Sequence, residues 1–298
     1  MTYTRGVFRL LEVIESKLKG EWISLNDVWI SPSVSHTGYF GGGNDGTNPR
    51  STMDKVTYAS DTTAAVPGAA LSAVRYYLTA TGSSTAGYFG GGTPGPRSTM
   101  DKVTYSSDTT AAVPGANLSV GRYGLAATGN STAGYFGGGI DGSFGLRSTM
   151  DKVTYSSDTT AAVPGAALSV ARQYVAATGN STAGYFGGGI SPGLRSTMDK
   201  VTYSSDTTAA VPGANLSAAR SFLAATGNST AGYFGGGISP GLRSTMDKVT
   251  YASDTTAAVP GAFLSAGRGY MGATGNSTAG YFGGGFGPST TSLMDKID

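Results

Sequence analysis

The side chains of this 298-residue chain that could do chemistry recur at intervals and do not converge on one place. Arg75, Arg122, Arg172, Arg220 and Arg268 stand once in each of a series of similar segments, and Asp-Lys pairs recur from Asp54-Lys55 to Asp295-Lys296. Charges repeated around an array could hold an anion at a central channel. The expected role is structural, as hydrogen bonds and salt bridges between repeated units. Glycoside hydrolysis needs two carboxylates in one asymmetric site. The repeated acids are equivalent, and the loop acids that stand apart, Asp45 and Asp141, fall in different repeats. The chain has no cysteine and one histidine, His36. That excludes a thiolate nucleophile, a disulfide framework and a zinc–sulfur site, and most histidine-based metal or triad chemistry. No catalytic residue, metal or cofactor is expected. Asn-Ser-Thr at Asn130, Asn180, Asn228 and Asn276 matches a glycosylation sequon but reads as turn chemistry.

The repeat must position these side chains. Gly-Tyr-Phe-Gly-Gly-Gly begins at Gly38, Gly87, Gly134, Gly184, Gly232 and Gly280, so the unit is 47–50 residues long. Short-strand units of roughly 40–50 residues build propeller blades. One such unit cannot bury its own apolar faces and must stack or close into a ring. The chain has 48 glycines and 13% charged residues, but 39% hydrophobic content and a regular period argue against a disordered tract.

Residues 117 to 163 illustrate one unit. Ser119 to Gly129 reads as a first strand, ended by Gly129-Asn130. Thr132 to Phe136 reads as a second, followed by three glycines and a variable loop from Ile140 to Leu146. Met150 to Tyr155 alternates as a third strand. Ser157 to Thr160 is a polar turn, and Ala161 to Val163 opens a fourth strand that Pro164-Gly165 ends or bends. The expected fold is all-β: a six-bladed propeller of four-stranded antiparallel blades over residues 36–298, preceded by a helix-containing segment, 1–35. Tyr135-Phe136-Gly137-Gly138, then Val153-Thr154-Tyr155, a polar turn and Arg172 on the next first strand resemble a kelch-type blade. The kelch tryptophan on the fourth strand is absent. Ala162 and Val163 stand there, and both tryptophans, Trp22 and Trp29, lie outside the repeats. Copper chemistry on a kelch ring would need the missing cysteine and histidines. Sialidase-like propellers carry Ser-x-Asp-x-Gly boxes ending in tryptophan, which these repeats lack.

The ends need closing. The last unit stops inside its third strand at Met294–Asp298, and the first begins with its second strand at His36 to Phe40. Val28 to Ser33 is the nearest candidate for the first unit's first strand. A strand near Glu21 to Ser24 is expected to complete the last blade, since an open ring leaves unpaired edges. Val7, Leu10, Leu11, Ile14 and Leu18 share one helical face, stopped at Gly20. That helix either caps the ring or anchors it to a larger assembly.

Antiparallel blades place the first–second and third–fourth turns on one face, and the second–third loops and blade connections on the other. The first set is nearly constant: Thr-Gly-Asn-Ser-Thr-Ala and Ser-Asp-Thr-Thr-Ala-Ala recur. The second set varies, as binding loops on a rigid frame do. The candidate partner-binding residues are Asp45, Asp141 and Phe144 in the loops, and Asn117, Asn215 and Phe263 in the connections. Tyr76, Tyr77, Tyr123, Gln173, Tyr174, Phe222 and Tyr270, which follow the arginines, complete the set. Tyrosine and phenylalanine offer large contact areas and could stack on sugar rings or protein side chains. The alternative is that these aromatics pack between blades.

A net charge of +2, with unclustered basic residues, does not suggest nucleic-acid binding. No secretory signal is visible, and no apolar run approaches the roughly 20 residues that span a bilayer. Assembly in a cytoplasm without membrane insertion is expected. Gly-Tyr-Phe-Gly-Gly-Gly and Met-Asp-Lys-Val-Thr-Tyr in near-identical small-residue blades resemble repeat proteins of tailed bacteriophages, especially those of marine cyanobacteria. The N-terminal Gly-Val-Phe-Arg-Leu-Leu-Glu-Val and Gly-Glu-Trp resemble segments of phage structural proteins. The resemblance implies a virion protein assembled in the host cytoplasm. It would be a non-enzymatic structural and adhesion protein of the tail or fibre, anchored through Val7, Leu10, Leu11, Ile14 and Leu18. Its partners would be other virion proteins and a host-surface glycan or protein. A capsid decoration protein, an intracellular kelch-like adaptor and a carbohydrate-active enzyme are the alternatives.

Overall fold

A computed structural model describes residues 37–287 and 291–298. The expected helix, the closing strand near Glu21 to Ser24 and the candidate strand at Val28 to Ser33 lie outside the described residues. The described chain is all-β and forms six blades. In the third blade the strands run Ala126–Gly129, Ala133–Gly137, Met150–Thr154 and Thr159–Ala162, from the inner strand to the outer. The second, fourth and fifth blades repeat this four-stranded antiparallel order. Among the described residues the first blade has three strands, Thr37–Gly41, Met53–Thr57 and Thr62–Ala65. The sixth has Gly272–Gly275, Gly280–Gly283 and Met294–Ile297.

The two-residue period of a strand explains the core. Within Ala133–Gly137 successive side chains point to opposite faces. Tyr135 joins Phe186, Val201 and Tyr203 of the next blade, whereas Phe136 joins Tyr88 and Met100 of the previous one. Each blade therefore has two apolar faces, and the hydrophobic clusters lie between blades. Phe136 is fully buried, and burial of such a side chain stabilises by about 1.5–3 kcal/mol. Register follows from the same alternation, with Tyr135 opposite Lys152 and Phe136 opposite Asp151. Gly134 is needed for close approach. A Cβ there would lie 2.8 Å from the Tyr155 hydroxyl and overlap Thr81 of the preceding blade.

Two expectations are corrected. Ser119 to Gly129 is not one strand. Arg122–Tyr123 pairs with Ile140–Asp141, the chain turns at Gly124 (φ 65°), and the inner strand is only Ala126–Gly129. The fourth strand starts earlier than Ala161, at Thr159, because Thr159 and Thr160 pair with Thr154 and Val153. Beyond it Pro164–Ala166 makes a 3-10 turn, as do Pro67–Ala69, Pro114–Ala116 and Pro212–Ala214. Each of these turns offers its alanine carbonyl to an outer-strand threonine of the following blade, Thr110, Thr160, Thr208 or Thr256. The fifth copy, Val259-Pro260-Gly261-Ala262, meets no such threonine among the described residues and is extended within Thr255–Phe263.

Side-chain packing closes the ring between the sixth and first blades. Tyr58 and Tyr281 stack at 5.2 Å, the Tyr58 hydroxyl lies 2.7 Å from Thr274 Oγ1, and Lys296 reaches Asp61 at 2.9 Å. Tyr281 also donates a hydrogen bond to Asp61.

Candidate binding face

The repeated arginines are the rivets of the connections. Arg75 illustrates the geometry. Its carbonyl accepts from Gly43 N at 2.8 Å in the first blade, while its guanidinium reaches Asp101 at 2.7 Å and Thr99 O at 3.0 Å in the second. Arg122–Asp151 and Arg172–Asp199 repeat the pair at 2.7 and 2.8 Å, with Arg220–Asp247 and Arg268–Asp295 completing the series. These arginines are buried, so they form no accessible anion ring. The expectation of structural salt bridges holds.

Two residues after each arginine the chain adopts a left-handed conformation: Tyr77 (φ 55°), Gly124 (φ 65°), Tyr174 (φ 55°), Phe222 (φ 55°) and Tyr270 (φ 63°). Non-glycine residues rarely do so. A chain of backbone hydrogen bonds holds them there. Gly124 N donates to Tyr77 O (2.9 Å), Tyr174 N to Gly124 O (2.6 Å), Phe222 N to Tyr174 O (3.2 Å) and Tyr270 N to Phe222 O (2.9 Å). The bonds link successive blades, so the four aromatic rings meet one another. Tyr174 and Phe222 lie 3.9 Å apart, Phe222 and Tyr270 4.1 Å, and Tyr77 packs edge-on to Tyr174 at 5.4 Å. Gly124 supplies the room, because a Cβ there would lie 2.9 Å from the Tyr174 ring. Burial, aided by Tyr270, Tyr76 and Tyr123, pushes the Tyr77 hydroxyl up to about 12. Burial also raises Tyr174 and Tyr270. These hydroxyls therefore remain neutral donors at ordinary pH. Of the aromatics expected either to bind or to pack between blades, Tyr77, Tyr174, Phe222 and Tyr270 gather into one cluster built from different blade connections.

The remaining candidates divide. Asn117 and Asn215 serve the scaffold, each accepting a third-strand N–H at 3.2 Å, from Met100 and Met198. Tyr76, Tyr123 and Gln173 sit on short bridges to the second–third loops, opposite Thr93, Ile140 and Ile190. Asp45 is held down to about 2 by the N–H groups of Asn48 and Thr47 and then by Arg50. The Gly145 N–H, Arg147 and the Ser143 N–H lower Asp141. Both carboxylates stay ionised and fold their own loops, which gives neither the raised pKa of a general acid. Phe144 stands at the tip of the third blade's loop with φ 59°, and its side chain is 80% exposed. Phe263 is 54% exposed.

Sequence reasoning missed Phe286, 49% exposed, and Leu194, both in second–third loops. It also missed Val74, Val120 and Val170 in the connections. Their signal was present: each is an apolar residue in a segment that otherwise turns or varies. Among the described residues every exposed large apolar side chain lies in a second–third loop, in a connection or at the adjoining end of a strand. The opposite face carries hydroxyl and amide turns. There Asn130 Oδ1 accepts from Thr132 N at 2.9 Å and Ala133 N at 3.0 Å, the turn chemistry expected of the Asn-Ser-Thr boxes. No protein-family model matches this chain, and no curated protein matches it significantly.

Proposed function

We propose that this chain is a non-enzymatic structural and binding module of a phage virion, tail or fibre associated. In this reading residues 1–35 attach the ring to the particle, and the variable face meets a host surface or another virion protein. The carrying observation is the asymmetry between the faces. Phe144, Leu194, Phe263, Tyr270 and Phe286 are exposed in the second–third loops and connections of one side, and polar turns cover the other. Exposed apolar side chains gathered on one face of a folded domain mark an interaction site. The buried arginines and self-contained loop acids leave the frame rigid and the face without acid–base machinery, which favours adhesion over catalysis. The resemblance of the repeats to those of phage proteins and to kelch-type blades supports this reading.

Particles carrying Phe144→Ser, Phe263→Ser and Phe286→Ser together test this. The variant chain should fold, because these side chains are exposed, and should enter the particle. Host adsorption or particle integrity should fall at least tenfold. Unchanged adsorption and integrity with the variant incorporated would refute the binding role of this face.

A further inference from the structure

Adjacent blades meet at seams built from the same parts. A tyrosine just past one third strand stacks on the second-strand tyrosine of the preceding blade, as in Tyr88–Tyr155, Tyr135–Tyr203, Tyr185–Tyr251 and Tyr281–Tyr58, at 4.8–5.2 Å. Its hydroxyl faces an inner-strand threonine of that preceding blade: Thr81, Thr128, Thr178 or Thr274. An aspartate three residues on pairs with the preceding blade's lysine, as in Lys102–Asp158 and Lys152–Asp206 at 2.8 and 2.9 Å. On the side of the near-constant turns an asparagine amide then spans the seam. Asn130 Nδ2 donates to Ser181 O and Asn180 Nδ2 to Ser229 O, each at 3.5 Å.

The seam between the second and third blades departs from this pattern. Ser83 stands where the later blades have Asn130, Asn180, Asn228 and Asn276. Its hydroxyl keeps the turn, accepting from Thr85 N at 3.2 Å and Ala86 N at 3.3 Å, as Asn130 Oδ1 does from Thr132 and Ala133. It has no amide with which to reach the Ser131 carbonyl of the third blade. The seam is looser as a result. Thr81 and the Tyr155 hydroxyl lie 3.4 Å apart, against 3.1 Å for Thr128–Tyr203 and Thr178–Tyr251 and 2.7 Å for Thr274–Tyr58. Tyr155 is partly exposed, whereas Tyr203 and Tyr251 are buried. A groove of about 520 Å³ opens there, lined by Ser83, Ser84 and Thr85 of one turn, Ser131 and Thr132 of the next, and Thr154 among others.

The chemistry of the walls selects the ligand. Each serine or threonine hydroxyl is both donor and acceptor, the pattern that the hydroxyls of a sugar present in return. Lys152, the charged residue on the wall, already holds both oxygens of Asp206 at 2.9 Å. Lys102 likewise holds both oxygens of Asp158, at 2.9 and 2.8 Å. An ionic ligand would therefore find its counter-charge taken. Tyr155 also lines the groove and adds an aromatic surface beside the hydroxyls. The volume falls in the range of roughly 300–1,000 Å³ typical of small-molecule clefts. We infer that the seam between the second and third blades binds a neutral saccharide, held by the hydroxyls of two adjoining turns and Thr154 with Tyr155 beside it. The site lies among the near-constant turns, on the face opposite the variable loops. It goes beyond the proposed function, and its failure would leave that reading untouched.

The test uses the full-length chain and immobilised neutral oligosaccharides of glucose, galactose, mannose, rhamnose or N-acetylglucosamine, with sulfated and sialylated glycans as charged comparators. At least one neutral glycan should bind, and calorimetric titration with that glycan in free form should show saturable one-to-one binding. Tighter binding of its parent polysaccharide would name a surface polymer as the source, and tighter binding of the free form a soluble sugar; both support the site. Ser83→Asn restores the amide of the other seams, so it should keep the fold and weaken binding by about tenfold or more. Thr154→Val removes one wall hydroxyl and should weaken it by roughly two- to tenfold. Phe144→Ser, on the variable face, should leave it unchanged, whatever becomes of host adsorption. Failure of every neutral glycan to bind, a requirement for negative charge on the glycan, or binding indifferent to Ser83→Asn would overturn the assignment.

Discussion

Replacing Arg172 by methionine tests the rivet geometry most sharply. Arg172 and Asp199 are both 0% exposed. The guanidinium also donates to Thr197 O at 3.3 Å and Phe186 O at 3.0 Å. Methionine fills much of the arginine's volume but leaves Asp199 with one hydrogen bond, from Ser169 N at 3.2 Å. Removing one partner of a buried ion pair costs about 3–5 kcal/mol, since the other charge stays buried and uncompensated. For a domain of this size each kcal/mol lowers the melting midpoint by roughly 2–4 °C, so the single variant should lose roughly 6–20 °C. Asp199→Leu alone should cost a similar amount. The double variant should recover much of the loss, because two well-packed apolar side chains can replace a buried pair at little cost. Thermal and urea unfolding of the four proteins gives the coupling energy, expected to exceed about 1.5 kcal/mol. Arg50→Met is the control. Its pair with Asp45 is half-exposed and should change stability by less than about 1 kcal/mol. If Arg172→Met costs no more than Arg50→Met, or the cycle is additive, the arginines do not join the blades as described.

Three further outcomes follow from the seams. Burial pulls Asp158 and Asp206 upward, but hydrogen bonds from Lys102 and Tyr88, and from Tyr135 and Lys152, outweigh it, so both carboxyls sit below their ordinary value. Their stabilisation is present above the unfolded carboxylate pKa of about 3.9 and disappears as pH falls through the lower folded value. Asp158→Asn should therefore flatten the acid limb of a stability profile below about pH 4. At the alkaline end, burial pushes Tyr58 and Tyr251 up to about 12. Their contribution is complete below the unfolded tyrosine pKa of about 10 and is lost as pH rises towards the folded value. Tyr251→Phe should reduce the loss of stability between those pH values. Gly134→Ala should destabilise by about 1–3 kcal/mol through overpacking against Thr81 and Tyr155. Gly142→Ala, whose Cβ meets nothing within 4 Å, should stay within about 0.5 kcal/mol of the parent in urea titrations.

The blades were legible because each strand's local chemistry agrees with its place: alternation in Met150–Thr154, glycine after Tyr135-Phe136, and Asn130 in the turn. The arginines could be assigned a structural role because a charge repeated in every unit meets the same neighbours each time. The inner strand of residues 119–129 was misjudged because Gly124, read inside it, turns the chain at φ 65°, and at the equivalent positions Tyr77, Tyr174, Phe222 and Tyr270 do the same without being glycine or asparagine. Their conformation comes from hydrogen bonds to the neighbouring blade's connection, some 47–50 residues away. The aromatic cluster shares that origin, although the fixed two-residue offset from each arginine was a readable clue. The fifth Pro-Gly-Ala copy is extended although Val259-Pro260-Gly261-Ala262 matches its neighbours, so the local four residues alone do not set the 3-10 turn. Asp45 and Asp141 read as candidate partner-binding loop acids, and the hydrogen bonds they accept within their own loops were not legible, because they depend on the loop's backbone course.

Electron cryo-microscopy of purified particles of the virus encoding this chain, as the proposed function requires, tests the central claim most directly. The account predicts density for a six-bladed ring in the particle, with Phe144, Phe263 and Phe286 turned towards the host-facing side or buried against another virion protein. A ring bound through its Asn-Ser-Thr and Ser-Asp-Thr-Thr turns, with those phenylalanines facing no partner on any side, would contradict it. So would particles that lack the chain.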